Sequence, residues 1–332
     1  MDEPASEFDA PWKEVLDWYF EQFLGFFFPA AHDGIDWTRL PDYADKELQK
    51  IAPEAETGRG TVDKLAKVWR RDGVETWVFV HVEVQSQHDT SFGRRMYTYN
   101  HRLEDRYGRM PVTLAVLGDD SPAWRPTGYA ASLWGCEVGF TFPVAKLLDY
   151  KDREATLETD PNPFAALVLA HLKTLQTRGD VPSRQDWKLR LVKGLYDRGW
   201  EQEMVLKLFR AIDWMMTLPA APQAAFESDI LQYEEGKKMP FISPAEQNWW
   251  NRGRLQGRIE VGLEMRFGAA GLELLPRVHA IRDQAVLEAF LLVIKTAPTL
   301  DALRALLPPE TTLPAGRTSA TEAGTAQPGS TT

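Results

Sequence analysis

The chain has few of the residues that build covalently linked or zinc-stabilised folds. Among its 332 residues there are one cysteine, Cys136, and six histidines. A single cysteine excludes an internal disulfide and fits a reducing compartment. No pair of histidines or cysteines has the helical spacing of a zinc site. We therefore expect neither disulfides nor zinc to stabilise the fold.

Long apolar runs are also missing. The stretch 23–28 is far shorter than the roughly 20 residues that cross a bilayer. Asp17 and Glu21 precede it, whereas a signal peptide has a basic start. The sequence has no Walker-type phosphate loop, so a nucleotide cofactor is not expected. These observations predict a cytoplasmic protein that does not enter the membrane.

Basic residues are outnumbered by acidic ones. There are 38 Lys and Arg against 48 Asp and Glu, giving a formal charge of −10. This balance does not favour non-specific binding to nucleic acid, although a local basic groove in an acidic protein still can bind phosphates. What the chain does have is 44% apolar residues and 12 tryptophans, enough for a substantial core.

The most informative segment is the strand-like run 78–86, in which valine recurs at alternate positions. Glu83 lies near its end, where burial of a carboxylate is costly unless a cation or donor compensates. A second strand-like run begins at Asp63, and the turn signal Arg71-Asp72-Gly73 separates the two. An antiparallel hairpin would place Asp63 almost opposite Glu83, with Gln85 on the same face. Two carboxylates at one sheet edge are suited to a hard cation.

The remaining patterns predict an α/β core, a small mixed sheet flanked by helices, followed by a mainly α-helical C-terminal region. Helices are expected over 11–28, 42–52 and 90–107, and an apolar strand over 111–118. Further helices follow from about 162, one of them capped at Ser183. We predict a first domain over 1–150, a helical region over 151–307 and a disordered tail over 308–332.

The order helix-Glu, strand-Asp, strand-Glu-x-Gln resembles the PD-(D/E)xK nuclease core. More closely, the chain is similar to the bacterial recombination-promoting nuclease (Rpn) and putative-transposase group. The matching segments are Ile35-Asp36-Trp37, Asp45-Lys46-Glu47-Leu48, Val62-Asp63-Lys64-Leu65, His81-Val82-Glu83-Val84-Gln85, Arg95-Met96-Tyr97-Thr98-Tyr99-Asn100, Trp124-Arg125-Pro126, Lys146-Leu147-Leu148-Asp149-Tyr150, Asn162-Pro163-Phe164-Ala165 and Ala170-His171-Leu172.

This resemblance implies a metal-dependent DNA endonuclease that hydrolyses phosphodiester bonds, with a link to recombination or mobile elements. Asp63 and Glu83 would bind Mg²⁺ or Mn²⁺, and Glu47 would support the metal or its water. Gln85 occupies the position that the wider superfamily usually gives to a catalytic lysine. A glutamine supplies a dipole there instead of a positive charge, which puts the rate of turnover in question.

The helix over 90–107 carries the residues that we expect to contact DNA, namely Arg94, Arg95, Tyr97 and Arg102. A homodimer would suit cleavage of both strands of a symmetric duplex. Purely structural interpretations stay open. Glu83 can be an acid that forms an ion pair with Arg94 or Arg95, and the arginines can belong to a solvent-exposed helix face. Besides the active nuclease, two alternatives follow: an inactive nuclease fold that binds nucleic acid or a protein, and a pure interaction protein.

Overall fold

The computed structural model describes residues 9–45, 61–83, 89–237 and most of 255–307. By contact, the chain divides into two compact units, Met1–Ser243 and Pro244–Thr332. The predicted boundaries at 150 and 307 stay a prediction, and the tail over 308–332 lies outside the described residues. Within the part of the chain that is described, no helix is both long and apolar enough to cross a membrane.

Among the described residues of the first unit, a mixed sheet of five strands lies at the centre. The strands are β1 Asp42–Tyr43, β2 Thr61–Trp69, β3 Glu75–Glu83, β4 Val112–Leu117 and β7 Val144–Lys146, in the order β1-β2-β3-β4-β7. The first three strands are antiparallel neighbours, whereas β3, β4 and β7 run parallel to one another. A separate hairpin consists of β5 Gly128–Leu133 and β6 Cys136–Thr141. The predicted mixed sheet is thus confirmed.

Nine helices accompany these strands among the described residues of the first unit. They are α1 Asp9–Trp18, α2 Phe20–Phe27, α3 Pro29–Gly34, α4 Phe92–Tyr107, α5 Glu154–Thr159, α6 Pro163–Gln176, α7 Val181–Asp197, α8 Gln202–Met215 and α9 Ala220–Lys237, with a 3-10 helix over Leu147–Arg153. In the second unit, the helices Ala269–Leu272, Leu275–His279, Gln284–Ile294 and Leu300–Arg304 surround their own apolar core.

Three boundaries differ from the sequence prediction. The expected helix over 11–28 is interrupted at Tyr19, whose backbone leaves the helical region. Asp42 and Tyr43, expected to begin a helix, instead pair with Lys67 and Ala66 as an edge strand, because tertiary pairing overrides a weak local preference. Helix α7 is capped by Asp180, whose carboxylate accepts from the Ser183 N–H.

Helix α4 covers one face of the sheet. Its residues Phe92, Met96, Tyr99 and Leu103 form one buried cluster with Leu65, Phe79, Ala115 and Leu117 of the strands. Buried Asn100 donates to Pro111 O and to Thr113 Oγ1, both at 2.9 Å, and so ties α4 to β4. The helix ends at Gly108, which adopts the left-handed conformation with φ of 68°.

Helix α1 packs against β2 on the opposite face, where Lys64 contacts Asp17. Val80, Val82, Leu114 and Val116 alternate with the residues of the α4 face and are buried. His171 of α6 lies under this face, where its Nε2 donates to Gly118 O at 2.7 Å and its Nδ1 accepts from Trp12 Nε1 at 3.4 Å. His171 is therefore a satisfied core histidine, as the apolar pattern of its helix predicts.

Candidate metal centre at the ends of β2 and β3

The hairpin of β2 and β3 sets the relative position of the two candidate carboxylates. Asp63 pairs with His81, and Glu83 pairs with Thr61. Asp63 is therefore offset by two residues from the position directly opposite Glu83. The hairpin is centred on Asp72, so a strand position pairs with the one equally distant on the other side.

The register nevertheless keeps the two acidic positions together. Asp63 and Glu83 are diagonal neighbours on adjacent strands, and diagonal positions in an antiparallel pair share one face at roughly 7–8 Å. For both residues the structure describes the backbone. Their common face is the one that carries Leu65 and Phe79 and is covered by α4.

Two further predicted site residues, Glu47 and Gln85, lie outside the described residues. The chain just before Glu47 is nevertheless fixed to the strand of Asp63. Ala44 N donates to Leu65 O at 2.8 Å, and Leu65 N donates to the Asp45 carboxylate at 2.9 Å. Ala44 and Asp45 therefore contact Leu65, which is two residues from Asp63 on β2.

Lys64 is a buried cation immediately beside Asp63 in sequence, on the other face of the sheet. Its ammonium contacts Asp17 at 2.5 Å and Asp45 at 3.3 Å, and it lies 4.1 Å from the ring centre of Tyr43. Burial, followed by the charges of Asp17 and Asp45, raises the pKa of the Tyr43 hydroxyl. Lys64 thus anchors β2 to α1 and β1, which makes it a structural residue.

His81 also lies at this site, although the sequence analysis does not include it among the candidate site residues. It is buried, it pairs with Asp63 in the hairpin register, and its ring lies 5.3 Å from that of Phe92 in an edge-on arrangement. The alternation His81-Val82-Glu83 already places the imidazole on the face of Glu83. That signal was sufficient to find it.

The parallel strands add a buried ion pair to the same edge of the sheet. Glu83 pairs with Leu117, and Leu117 pairs with Lys146, so the three form one row across β3, β4 and β7. The Lys146 ammonium contacts the buried carboxylate of Asp119 and donates to Trp124 O at 3.2 Å. Removal of either charge would leave the other buried and uncompensated, which is strongly destabilising.

The segments Trp124-Arg125-Pro126 and Lys146–Tyr150 are far apart in sequence but in contact in the fold. The Arg125 guanidinium binds the Asp149 carboxylate through two hydrogen bonds of 2.9 and 2.5 Å. This pairing lowers the pKa of Asp149. The side chain of Trp124 lies under Lys146 and against Phe92. These contacts hold the two segments together beside β7.

The predicted DNA contacts on α4 differ in their surroundings. Arg94 is exposed, whereas Arg95 is half-buried and forms an ion pair of 3.4 Å with Asp89. Tyr97 stacks on Tyr129 of the separate hairpin with 5.2 Å between ring centres, so it is a packing residue. Arg102 is half-buried on the same helix. Contact of any of them with DNA stays a prediction.

The described residues contain no group of three or more His, Cys, Asp or Glu side chains arranged to hold a metal ion. The predicted ligand set rests on Glu47, Asp63 and Glu83, whose side chains are not among those described. In comparisons with protein-family models, curated proteins and solved structures, none matches the chain significantly.

Proposed function

We propose that the chain is a metal-dependent DNA endonuclease of the PD-(D/E)xK kind, related to the Rpn group. The observation that carries the proposal is the β2–β3 register, which puts Asp63 and Glu83 at diagonal positions on one face. The order of a two-strand hairpin, a crossover helix and a parallel strand supports it, as does the tie between Asp45 and Leu65.

In this proposal Asp63 and Glu83 hold a divalent cation, and Glu47 orients one of its waters. The donor set fits Mg²⁺, which is bound in proteins by one or two carboxylates and retains several waters. When bound, Mg²⁺ or Mn²⁺ lowers the pKa of a bound water and stabilises the charge that develops on the phosphate. The two positions place the proposed site at the end of the sheet where β2 begins and β3 ends.

Gln85 and the overall charge favour a second candidate function. The glutamine supplies no positive charge near the scissile phosphate, and the chain carries a net charge of −10. A protein of this fold that binds nucleic acid or a partner without turnover would tolerate both features. The two candidates differ in one measurable property, which is cleavage.

The test is nicking of supercoiled plasmid by the purified full chain with Mg²⁺, Mn²⁺ or EDTA. We compare Glu83→Gln with Glu75→Gln, the same substitution at the other, exposed end of β3. Glu83→Gln should reduce metal-dependent nicking by about two orders of magnitude or more, the scale on which loss of one charge-stabilising group acts. Glu75→Gln should cut like the wild type.

The outcomes separate the candidates. Equal nicking by Glu83→Gln and wild type overturns the proposed centre. If the wild type and Glu83→Gln both fail to cut with any metal but both retard DNA in a gel, the binding function replaces the nuclease.

A further inference from the structure

Helix α9 is the last described helix of the first unit, and little apolar surface holds it in place. Among its described side chains, four are buried, at positions that follow one face of the helix. They are Gln223, Phe226, Ile230 and Glu234. Two of these four are polar, whereas 12 of the 14 residues of α6 are buried. Since helices in proteins are stabilised mostly by packing of their apolar faces, α9 is weakly held by this contribution.

The buried surface at the start of α9 is polar. The Lys188 ammonium of α7 contacts the Asp213 carboxylate of α8 at 2.6 Å and donates to Gln223 Oε1 at 2.9 Å. Gln223 Nε2 in turn donates to Asp213 Oδ1 at 3.2 Å. The side chains of Lys188 and Asp213 are 0% and 2% exposed. A buried ion pair contributes little net stability, because the cost of desolvating both charges offsets most of their attraction.

The end of α9 is also held by polar contacts with α7. The Tyr196 hydroxyl donates to the buried carboxylate of Glu234 at 2.6 Å. Asp197, the last residue of α7, accepts from the Tyr233 hydroxyl at 2.8 Å and from Lys237 Nζ at 2.9 Å. Asp197 and Lys237 are about half exposed, and exposed ion pairs contribute little. Both ends of α9 are thus held by groups that water can also satisfy.

We propose that α9 is a latch, a helix that opens and closes as one element while the rest of the first unit stays folded. Opening removes two apolar side chains from the core and hydrates the buried charges of Lys188, Asp213 and Glu234. Segments with few buried apolar contacts open at a lower free energy than the surrounding core. Because α9 lies just before the boundary at Ser243, opening adds its 18 residues to the chain that connects the two units. The inference does not depend on the proposed nuclease activity.

The test is native-state hydrogen exchange of the full chain at low concentrations of urea. Relative to their intrinsic rates, the amides of α9 should exchange faster than those of α6 and depend less on urea, because partial opening exposes less surface than global unfolding. Tyr196→Phe removes a hydrogen bond to a buried carboxylate that only the closed latch forms, and should speed exchange in α9 about tenfold or more. Tyr129→Phe, the same change in β5, should leave exchange in α9 unchanged.

A core variant distinguishes the latch from global unfolding. Val168→Ala removes two buried methyl groups from α6 and should speed exchange in α6 about tenfold or more. Exchange in α9 should stay unchanged, because this substitution affects the closed and the open latch alike. If Val168→Ala accelerates both helices equally, α9 opens only with the whole unit and the proposal is overturned. Unchanged exchange of α9 in Tyr196→Phe also overturns it, since the amides would then exchange without separation of α9 from α7.

Discussion

At the residue scale, His171 shows how burial fixes a protonation state. The ring is fully enclosed, with one nitrogen donating to Gly118 O and the other accepting from Trp12. Burial lowers the pKa of His171 from 6.5 to about 4. The neutral ring links α1, α6 and the loop after β4. Protonation of the ring would place a positive charge in the core.

This linkage predicts an acid sensitivity. Between about pH 6.5 and pH 4 the unfolded chain binds a proton at His171 that the folded chain does not. The free energy of unfolding should therefore fall by up to about 3 kcal/mol as the pH drops through this window. His171→Gln keeps a donor for Gly118 and cannot be protonated. Urea unfolding at several pH values should give a shallower acid slope for the variant; parallel slopes would contradict the assignment.

Some residue-level features could be predicted from the sequence. Two of them depend on neighbours within a few residues: the turn at Arg71-Asp72-Gly73 and the end of α4 at Gly108. The burial of His171 follows from the apolar residues that surround it on its helix. The partners of His171 could not be predicted, because Trp12 and Gly118 are remote in sequence. The same holds for the Asp119–Lys146 pair, which only the parallel alignment of β4 and β7 brings together.

At the element scale, α4 and the β5–β6 hairpin meet at a contact that leaves no room for a side chain. Gly93 is buried in α4 and faces Gly128 O, and Gly128 in turn lies close to Phe140 O. Gly93 itself has ordinary helical neighbours on both sides and would gain helix propensity from a side chain. Close approach of the two backbones is therefore the reason for glycine at this position.

A matched pair of helical glycine substitutions tests this contact. Gly93→Ala should lower the free energy of unfolding by about 3 kcal/mol, the upper end of the usual cost of overpacking, because the added methyl group meets backbone atoms. Gly194→Ala in α7 has no heavy atom within 4 Å of the new Cβ and should stabilise by up to about 1 kcal/mol. Thermal unfolding measures both. An unchanged unfolding temperature for Gly93→Ala would contradict the close contact of α4 with the β5–β6 hairpin.

The order of helices and strands could be predicted from the sequence more readily than their boundaries. The periodicities of α4 and of β2 and β3 are strong because each buries one clear face. The short strand β1 has no such pattern, since it exists through pairing with β2 alone. The β5–β6 hairpin has no strong pattern either, because alternation carries little information where most residues are exposed.

At the scale of the whole first unit, α6 is its central helix. Twelve of its 14 residues are buried. Phe164 lies 5.2 Å from Phe23 of α2 and 6.1 Å from Trp12 of α1, measured between ring centres. The N-terminal helices therefore bury their aromatic side chains against a helix that follows the sheet in sequence. The core is shared between the two halves of this unit.

Truncation tests whether residues 1–150 form a domain of their own. Without α6, the aromatic side chains of α1 and α2 lose their cover, and burial of each such side chain contributes about 2–3 kcal/mol. Residues 1–150 alone should be poorly soluble and unfold without cooperativity, whereas residues 1–243 should unfold in a single transition by circular dichroism. A cooperative transition for 1–150 would establish the separate domain.

The backbone contact of Gly93 with Gly128 also limits how the β5–β6 hairpin is positioned near the candidate metal centre. With no side chain between the two backbones, the hairpin cannot approach α4 more closely. The first turn of α4 carries Phe92, which packs against His81, the register partner of Asp63. The residue that packs beside the candidate centre is therefore the immediate sequence neighbour of the residue that abuts the hairpin.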